Sequence, residues 1–452
     1  MNTSEAKKKV LDWIDAHAQE LSQLLVDMIQ AKPVNGSLCD YTCTEEGAQK
    51  VIAAYLKAAN IETQNVPIDL SKLEAYRGLP GFTPGHTDKM NFDGRDNVMA
   101  KISGTNPDEA RSLMLVGHVD VVPVSNPDKW EHGPHSGDIA DGYIWGRGAV
   151  DMLAGLAGMA VAMKALKQEN IRLKGDLWYG SISGEETGGT GMLAFSEYLR
   201  TSGLHADAAI MGEPTNMGLS LLCRGILWNE VHVYGKTGHL EVTQPHWSEG
   251  GTVNAIDKAL YIARCVEELN KDWRIRPEKN HKLLNLPCQC LLSRINGGHH
   301  DSSYPEHCVL NYNVQVLPKE TDENGLCTAT RREFEEFIAK VAQTDGWLRE
   351  HPPKVEWTLE ANCGEVDEDH PFVGSFMSTA REIDPNIQLT GSEFHTDNEW
   401  PQRLAGIPTV NYGPGNPALA HNDNEKVSVD DLLLYAKVIA GQCIDWCGLA
   451  ET

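Results

Sequence analysis

The stretch GSISGEETGGTGM, residues 180–192, places two carboxylates, Glu185 and Glu186, side by side in a glycine-rich turn after an apolar run. Acidic glycine turns are common on solvated surfaces, so the pair alone decides nothing. Other polar residues stand in the same kind of place. His118 and Asp120 follow SLMLVG, Asp151 follows WGRGAV, Glu213 follows DAAIMG, and His421 lies in GPGNPALAHNDNE after IPTVNY. Singly, each has a plain structural reading. A histidine beside a strand is commonly a hydrogen-bonded core group, and Asp151 ahead of a helix would pass as an N-cap. Together, several converging carboxylates and two imidazoles would repel one another unless cations sat among them, and mixed His and carboxylate ligation suits zinc, cobalt or manganese. Two such ions about 3.5–4 Å apart make a hydrolytic arrangement. If Glu186 binds metal, Glu185 is held beside the coordination sphere, where it can take a proton from the attacking water and pass it to a leaving nitrogen. Asp120, two residues from His118, is placed to accept the other ring N–H of that histidine.

The elements that must position these groups alternate. Apolar runs SLMLVGH, GDLWYGSIS and DAAIMGE are separated by helical patterns such as MLAGLAGMAVAMKALKQ, in which Leu153, Leu156, Ala160, Met163 and Leu166 form one stripe. This predicts an α/β domain with a mostly parallel sheet flanked by helices, in which functional groups gather beyond the carboxyl ends of the strands. From about residue 222 the pattern becomes strand, helix, two strands, helix and strand, a ferredoxin-like βαββαβ unit inserted into the larger domain. The expected division is 1–221 and 363–452 for the catalytic domain and 222–362 for the insertion.

Lys and Arg number 39 against 64 Asp and Glu, a net charge of −25, which argues against nucleic acid or an anionic membrane as partner. No apolar run approaches a membrane span, and the N-terminal segment MNTSEAKKKVLDWIDAHAQELSQLL reads as an amphipathic helix with no signal-peptide core; a cytoplasmic location is expected. The 11 cysteines, odd in number and scattered, suggest reduced thiols; the near pairs Cys39/Cys43, Cys288/Cys290 and Cys443/Cys447 complete no four-ligand zinc spacing.

The segments GHVDVVP, WGRGAVDMLAGLAGM, GSISGEETGGTGM, MGEPT, GKTGH and YGPGNPALAHNDNE, in this order over nearly the whole chain, resemble the group that holds acetylornithine deacetylases, succinyl-diaminopimelate desuccinylases, aminoacylases and glutamate carboxypeptidases. The resemblance implies two divalent ions, zinc first, with cobalt and manganese as alternatives. One would be held by His118, Asp151 and Glu213 and the other by Asp151, Glu186 and His421, Asp151 bridging. Glu185 would be the general base and later the acid. His239 of GKTGH matches a lid histidine that reaches the active site of a partner subunit, which implies a homodimer through the inserted domain.

The match has gaps. Many relatives hold a substrate carboxylate with an Asn and an Arg in the lid; Ser302 and Gln315 align there. Thr396 and Asp397 stand where relatives often have T-D-A-R, with Glu399 at the place of the Arg. A buried carboxylate without a cation loses one of its stronger contacts, so a neutral or cationic substrate gains ground. Arg294 and Arg224 are the candidate replacement cations. The expected activity is metal-dependent hydrolysis of a C–N bond in an N-acyl amino acid, short peptide or other small amide. The alternative is deformylation, decarbamoylation or deamination of a small non-peptide substrate on the same site.

Overall fold

The computed structural model describes residues 1–40 and 42–451. The apolar runs assemble into an eight-stranded sheet in the order Glu62–Val66, Asn97–Ile102, Leu177–Ile182, Leu113–His118, Ala208–Met211, Thr409–Asn411, Leu219–Cys223, Leu389–Ser392. The four middle strands from Leu177–Ile182 to Thr409–Asn411 run parallel and are wholly buried, which is why they read as unbroken apolar runs rather than alternating ones. Antiparallel neighbours extend the sheet at both edges. No helix is long and apolar enough to cross a membrane among the described residues.

The helix Leu153–Gln168 differs from the single stripe its spacing suggests. Nearly every residue from Leu153 to Leu166 is buried, because the helix lies between the sheet and the last helix, Val429–Cys447. Small residues permit that approach. A Cβ on Gly155 would fall 2.1 Å from the Gly212 carbonyl oxygen, and one on Gly158 would fall 2.4 Å from the Tyr435 ring. The N-terminal segment is likewise two helices, Thr3–Ala16 and Ala18–Gln30, parted at His17, whose ring donates to the Trp13 carbonyl and stacks on the Trp13 indole.

A second, four-stranded sheet has the order Cys290–Gly297, His307–Val316, Gly225–Tyr234, Lys354–Ala361, every neighbouring pair antiparallel. Helices Ala255–Trp273 and Thr328–Gln343 bury their apolar stripes against one face of it, giving the βαββαβ order of a ferredoxin-like unit. The alternation of Gly225–Tyr234 turns Ile226 and Trp228 to the other face. The chain crosses from the large sheet to this one at Arg224 and returns after Ala361.

Cys39 and Cys43 stand side by side, where the sequence suggests separate thiols. Their Cα atoms lie 6.2 Å apart, within bridging distance. Cys288, Cys290, Cys443 and Cys447 are free and buried, and no cysteine joins a metal-holding group among the described residues.

Gly155→Ala would force the helix away from Gly212, the residue before Glu213. The expected cost is about 1–3 kcal/mol in urea unfolding, accompanied by weaker metal retention on dialysis. Unchanged stability would show that the close approach is not required.

Candidate metal centre

The parallel strands end side by side, and their following turns bring the polar residues together. His118 closes its strand; Nε2 lies 3.0 Å from Asp151 Oδ1 and 3.6 Å from Glu213 Oε1. On the other side of Asp151, His421 Nε2 lies 3.3 Å from Asp151 Oδ2 and 3.1 Å from Glu186 Oε1. His118, Asp151 and Glu213 form one group able to hold a metal, and Asp151, Glu186 and His421 form a second. Each oxygen of Asp151 thus faces one group, as a bridging ligand requires. Glu213 Oε1 is buried with no hydrogen-bond partner among the described residues, and the mixed donors are those that hold zinc-like ions. Glu185 Oε2 stands 4.0 Å from His118 Nε2, beside both groups.

The expectation that the Asp120 carboxylate orients His118 is corrected. His118 Nδ1–H donates to the backbone carbonyl of Asp120 at 2.9 Å, which fixes the tautomer and frees Nε2 for a metal. The Asp120 carboxylate, 3.8 Å from that nitrogen, instead accepts from the backbone N–H of Gly184 at 2.8 Å, Glu185 at 3.2 Å and Glu186 at 3.1 Å, and from the Asn35 amide at 2.7 Å. The glycines around the pair are required by this turn, since Gly184, Gly188 and Gly189 have φ of 88°, 103° and 75°.

Asp151 is not a helix cap either, that place being taken by Met152. Its loop is held by Glu425, which spacing alone did not single out although it lies in the same segment as His421. The Glu425 carboxylate accepts from Val150 N–H at 2.8 Å, Asp151 N–H at 3.1 Å and Gly148 N–H at 3.1 Å, and pairs with Arg147 at 2.6 Å.

Crowding of like charge sets the proton affinities. Burial raises the Glu185 carboxyl well above its ordinary value, and Asp397, Glu186 and Glu213 push it further against the pull of His118. Burial also raises Glu186 and Glu213. Burial disfavours the Asp151 anion, but hydrogen bonds from His118 and His421 outweigh it and hold that carboxyl well below the usual range. For His421, burial lowers the pKa while Asp151 and Glu186 raise it, to about 11; His118 is raised well above its ordinary value by Glu213, Asp151 and Glu185, against burial.

A cavity of about 560 Å³ opens over these groups. Ile226, Trp228, Asn313, Gln315 and Leu359 of the second sheet form its roof, and Glu393, Phe394 and His395 form a side wall. Among the described residues no lysine or arginine lines it. Arg224, 2% exposed, is no substrate cation: it pairs with Glu393 at 2.7 Å and donates to Gln315 Oε1 at 3.1 Å and to the Leu286 carbonyl. Arg294 lies outside the cavity on the exposed strand Cys290–Gly297. Glu399 is behind the wall, where burial pushes its carboxyl up to about 8 and it accepts from Asn362 N–H at 3.2 Å. His239 is outside this chain's own cavity, bridged to Ser303 in the second sheet's domain, with Ser302 beside it. His395, which the sequence reading passed over, immediately precedes the Thr396–Asp397 pair it had marked.

Two outcomes follow from these contacts. Asp120→Asn replaces an anion that gathers three N–H groups, so it should lower metal affinity about 10–100-fold while far-UV circular dichroism stays native. Metal ligation needs neutral imidazole, so loading the stripped protein at pH 7 should release protons, and metal affinity should fall with pH. Because His421 is raised in the fold, its contribution to the stripped protein's stability is full below about pH 6.5 and is lost as pH rises through about 11. Calorimetry in buffers of different ionisation enthalpy reads the proton release directly.

Comparison with known proteins gives the family. The profile of Peptidase family M20/M25/M40 matches residues 114–443. The chain is 29% identical to N-formyl-4-amino-5-aminomethyl-2-methylpyrimidine deformylase of Bacillus subtilis (strain 168), covering 96% of both proteins. It is 30% identical to the deformylase of the same name from Halalkalibacterium halodurans, covering 78% of this chain and 84% of that one. The fold matches human carnosine dipeptidase 1 with a TM-score of 0.71 at 15% identity, over 98% of this chain and 99% of the other. Divalent metal ions serve this family, and the strand-end groups fit them. The chain belongs to peptidase family M20/M25/M40 and is a metal-dependent hydrolase of C–N bonds.

Proposed function

We propose that this hydrolase is a deformylase that releases formate and a primary amine from a small N-formylated heteroaromatic amine, of the aminomethylpyrimidine type. The observation that carries the reading is the lack, among the described residues, of any lysine or arginine in the cavity lining, with Arg224 already committed to Glu393 and Gln315. A substrate carboxylate would meet Glu393 there without a counter-charge. Trp228 and Phe394 offer flat apolar walls for a ring, and the cavity volume suits a small molecule. The two deformylases named above support the same choice over N-acyl amino acids and peptides.

When bound, the ions polarise the formyl oxygen and lower the pKa of water. His118, Asp151, Glu213, Glu186 and His421 would hold them, zinc by the donor set, with cobalt or manganese as substitutes. Glu185 takes the proton of the attacking water and returns it to the amine nitrogen as the C–N bond breaks. The Asp120 clamp keeps the Glu185 and Glu186 backbones fixed while it does so.

The same reading includes a cytoplasmic homodimer built through the second sheet, with His239 serving the partner's cavity. The exposed strand Cys290–Gly297, carrying Leu291, Leu292 and Ile295 on its surface, supports that assembly.

Formate release from N-formyl aminomethylpyrimidines is expected, with little turnover of N-acetyl amino acids or dipeptides. Turnover confined to carboxylate-bearing amides would overturn the reading. Glu185→Gln should lower kcat by about 10²-fold or more. If His239 acts across the dimer, mixing Glu185→Gln subunits with His239→Ala subunits should restore activity that neither variant has alone; no recovery would place His239 outside the reaction.

A further inference from the structure

We propose that Glu185, His395 and Asp397 form a third divalent-cation site, separate from the catalytic pair, whose occupation inhibits the enzyme. His395 Nε2 lies 3.9 Å from Glu185 Oε1 and 3.7 Å from Asp397 Oδ1. These separations are too long for hydrogen bonds. Two ligand atoms each about 2.0–2.2 Å from a tetrahedral zinc stand about 3.3–3.6 Å apart, so a shift of a few tenths of an ångström in these side chains would seat one ion. One ligand atom from each of the three residues falls within a 4.8 Å group.

A second observation points to the same place. Both ring nitrogens of His395 and Oδ2 of Asp397 are buried without a hydrogen-bond partner among the described residues, in side chains 10% and 3% exposed. Burying such atoms unpaired costs free energy, and two carboxylates facing one imidazole add repulsion that a cation would remove. Among the described residues no lysine or arginine lines the cavity to take that role. One imidazole and two carboxylates are a donor set for zinc, cobalt or manganese.

The consequence lies in the position of Glu185. Its Oε2 faces His118 and the catalytic groups, whereas its Oε1 faces His395. A carboxylate whose charge is committed to an ion on the Oε1 side is a much weaker base toward water on the other. This site shares no bridging ligand with the pair and offers three donors, so it fills at higher metal concentration than the pair does.

The inhibitory effect rests on the reading of Glu185 as base, but ion binding is measured without any substrate. Equilibrium dialysis of the stripped full chain against rising zinc or cobalt, with elemental analysis, should give two tight equivalents and a weaker third. Asp397→Asn and His395→Gln should each bind only the two. In formate release, wild-type activity should rise to two equivalents and then fall at least tenfold, while Asp397→Asn, whatever its own maximum, should show no fall beyond two equivalents. A wild-type protein that stops at two equivalents overturns the site, as do variants that bind the third ion like the wild type. A third ion bound without loss of activity overturns the inhibition. A third ion that binds although no formamide is hydrolysed supports the site and counts against the deformylase reading alone.

Discussion

Two buried carboxylates aimed at backbone N–H groups hold the whole centre in shape. Asp120 gathers the amides of Gly184, Glu185 and Glu186, and Glu425 gathers those of Gly148, Val150 and Asp151. Each anchors a loop that presents anionic side chains toward the same small volume. Without them the loops would have every electrostatic reason to spread apart, because carboxylates so close together in a low-dielectric interior repel strongly. Bidding for backbone dipoles rather than for side chains leaves the side chains free for ions.

The close packing beneath the site serves the same end. The helix Leu153–Gln168 begins two residues after Asp151, and its glycine face lies directly on Gly212, which leads into Glu213. A ligand from a loop and a ligand from a strand end are therefore referred to one rigid body. His118 is fixed from the strand itself, through its ring bond to the Asp120 carbonyl. His421, 54% exposed in its side chain, is the candidate ligand set most loosely, held mainly by Asp151 and Glu186.

The second sheet decides what the centre can meet. Its open face supplies Trp228, Asn313 and Gln315 to the cavity, and the crossing point between sheets places Arg224 where Glu393 neutralises it and Gln315 accepts a hydrogen bond from it. A guanidinium that would otherwise be the obvious anchor for an acid becomes a structural strut. The cavity keeps the net negative lining that its catalytic groups impose.

Much of this was legible in the residues. Continuous apolar strands followed by His118, Glu185, Glu186, Glu213 and His421 define a strand-end site because parallel strands end together, and the βαββαβ order of the insertion follows from the change in periodicity after residue 222. The total burial of Leu153–Gln168 was not legible, since a stripe and a fully buried helix differ only in what packs outside. The sequence by itself determined which groups are candidates for the chemistry and on which kind of element each sits. Only the tertiary structure decided the contacts of Asp120, Glu425 and Arg224 and the placement of His395. A carboxylate can bind a metal, a backbone turn or a guanidinium equally well by type, and the choice among them is fixed by distances of a few ångströms between segments far apart in the chain.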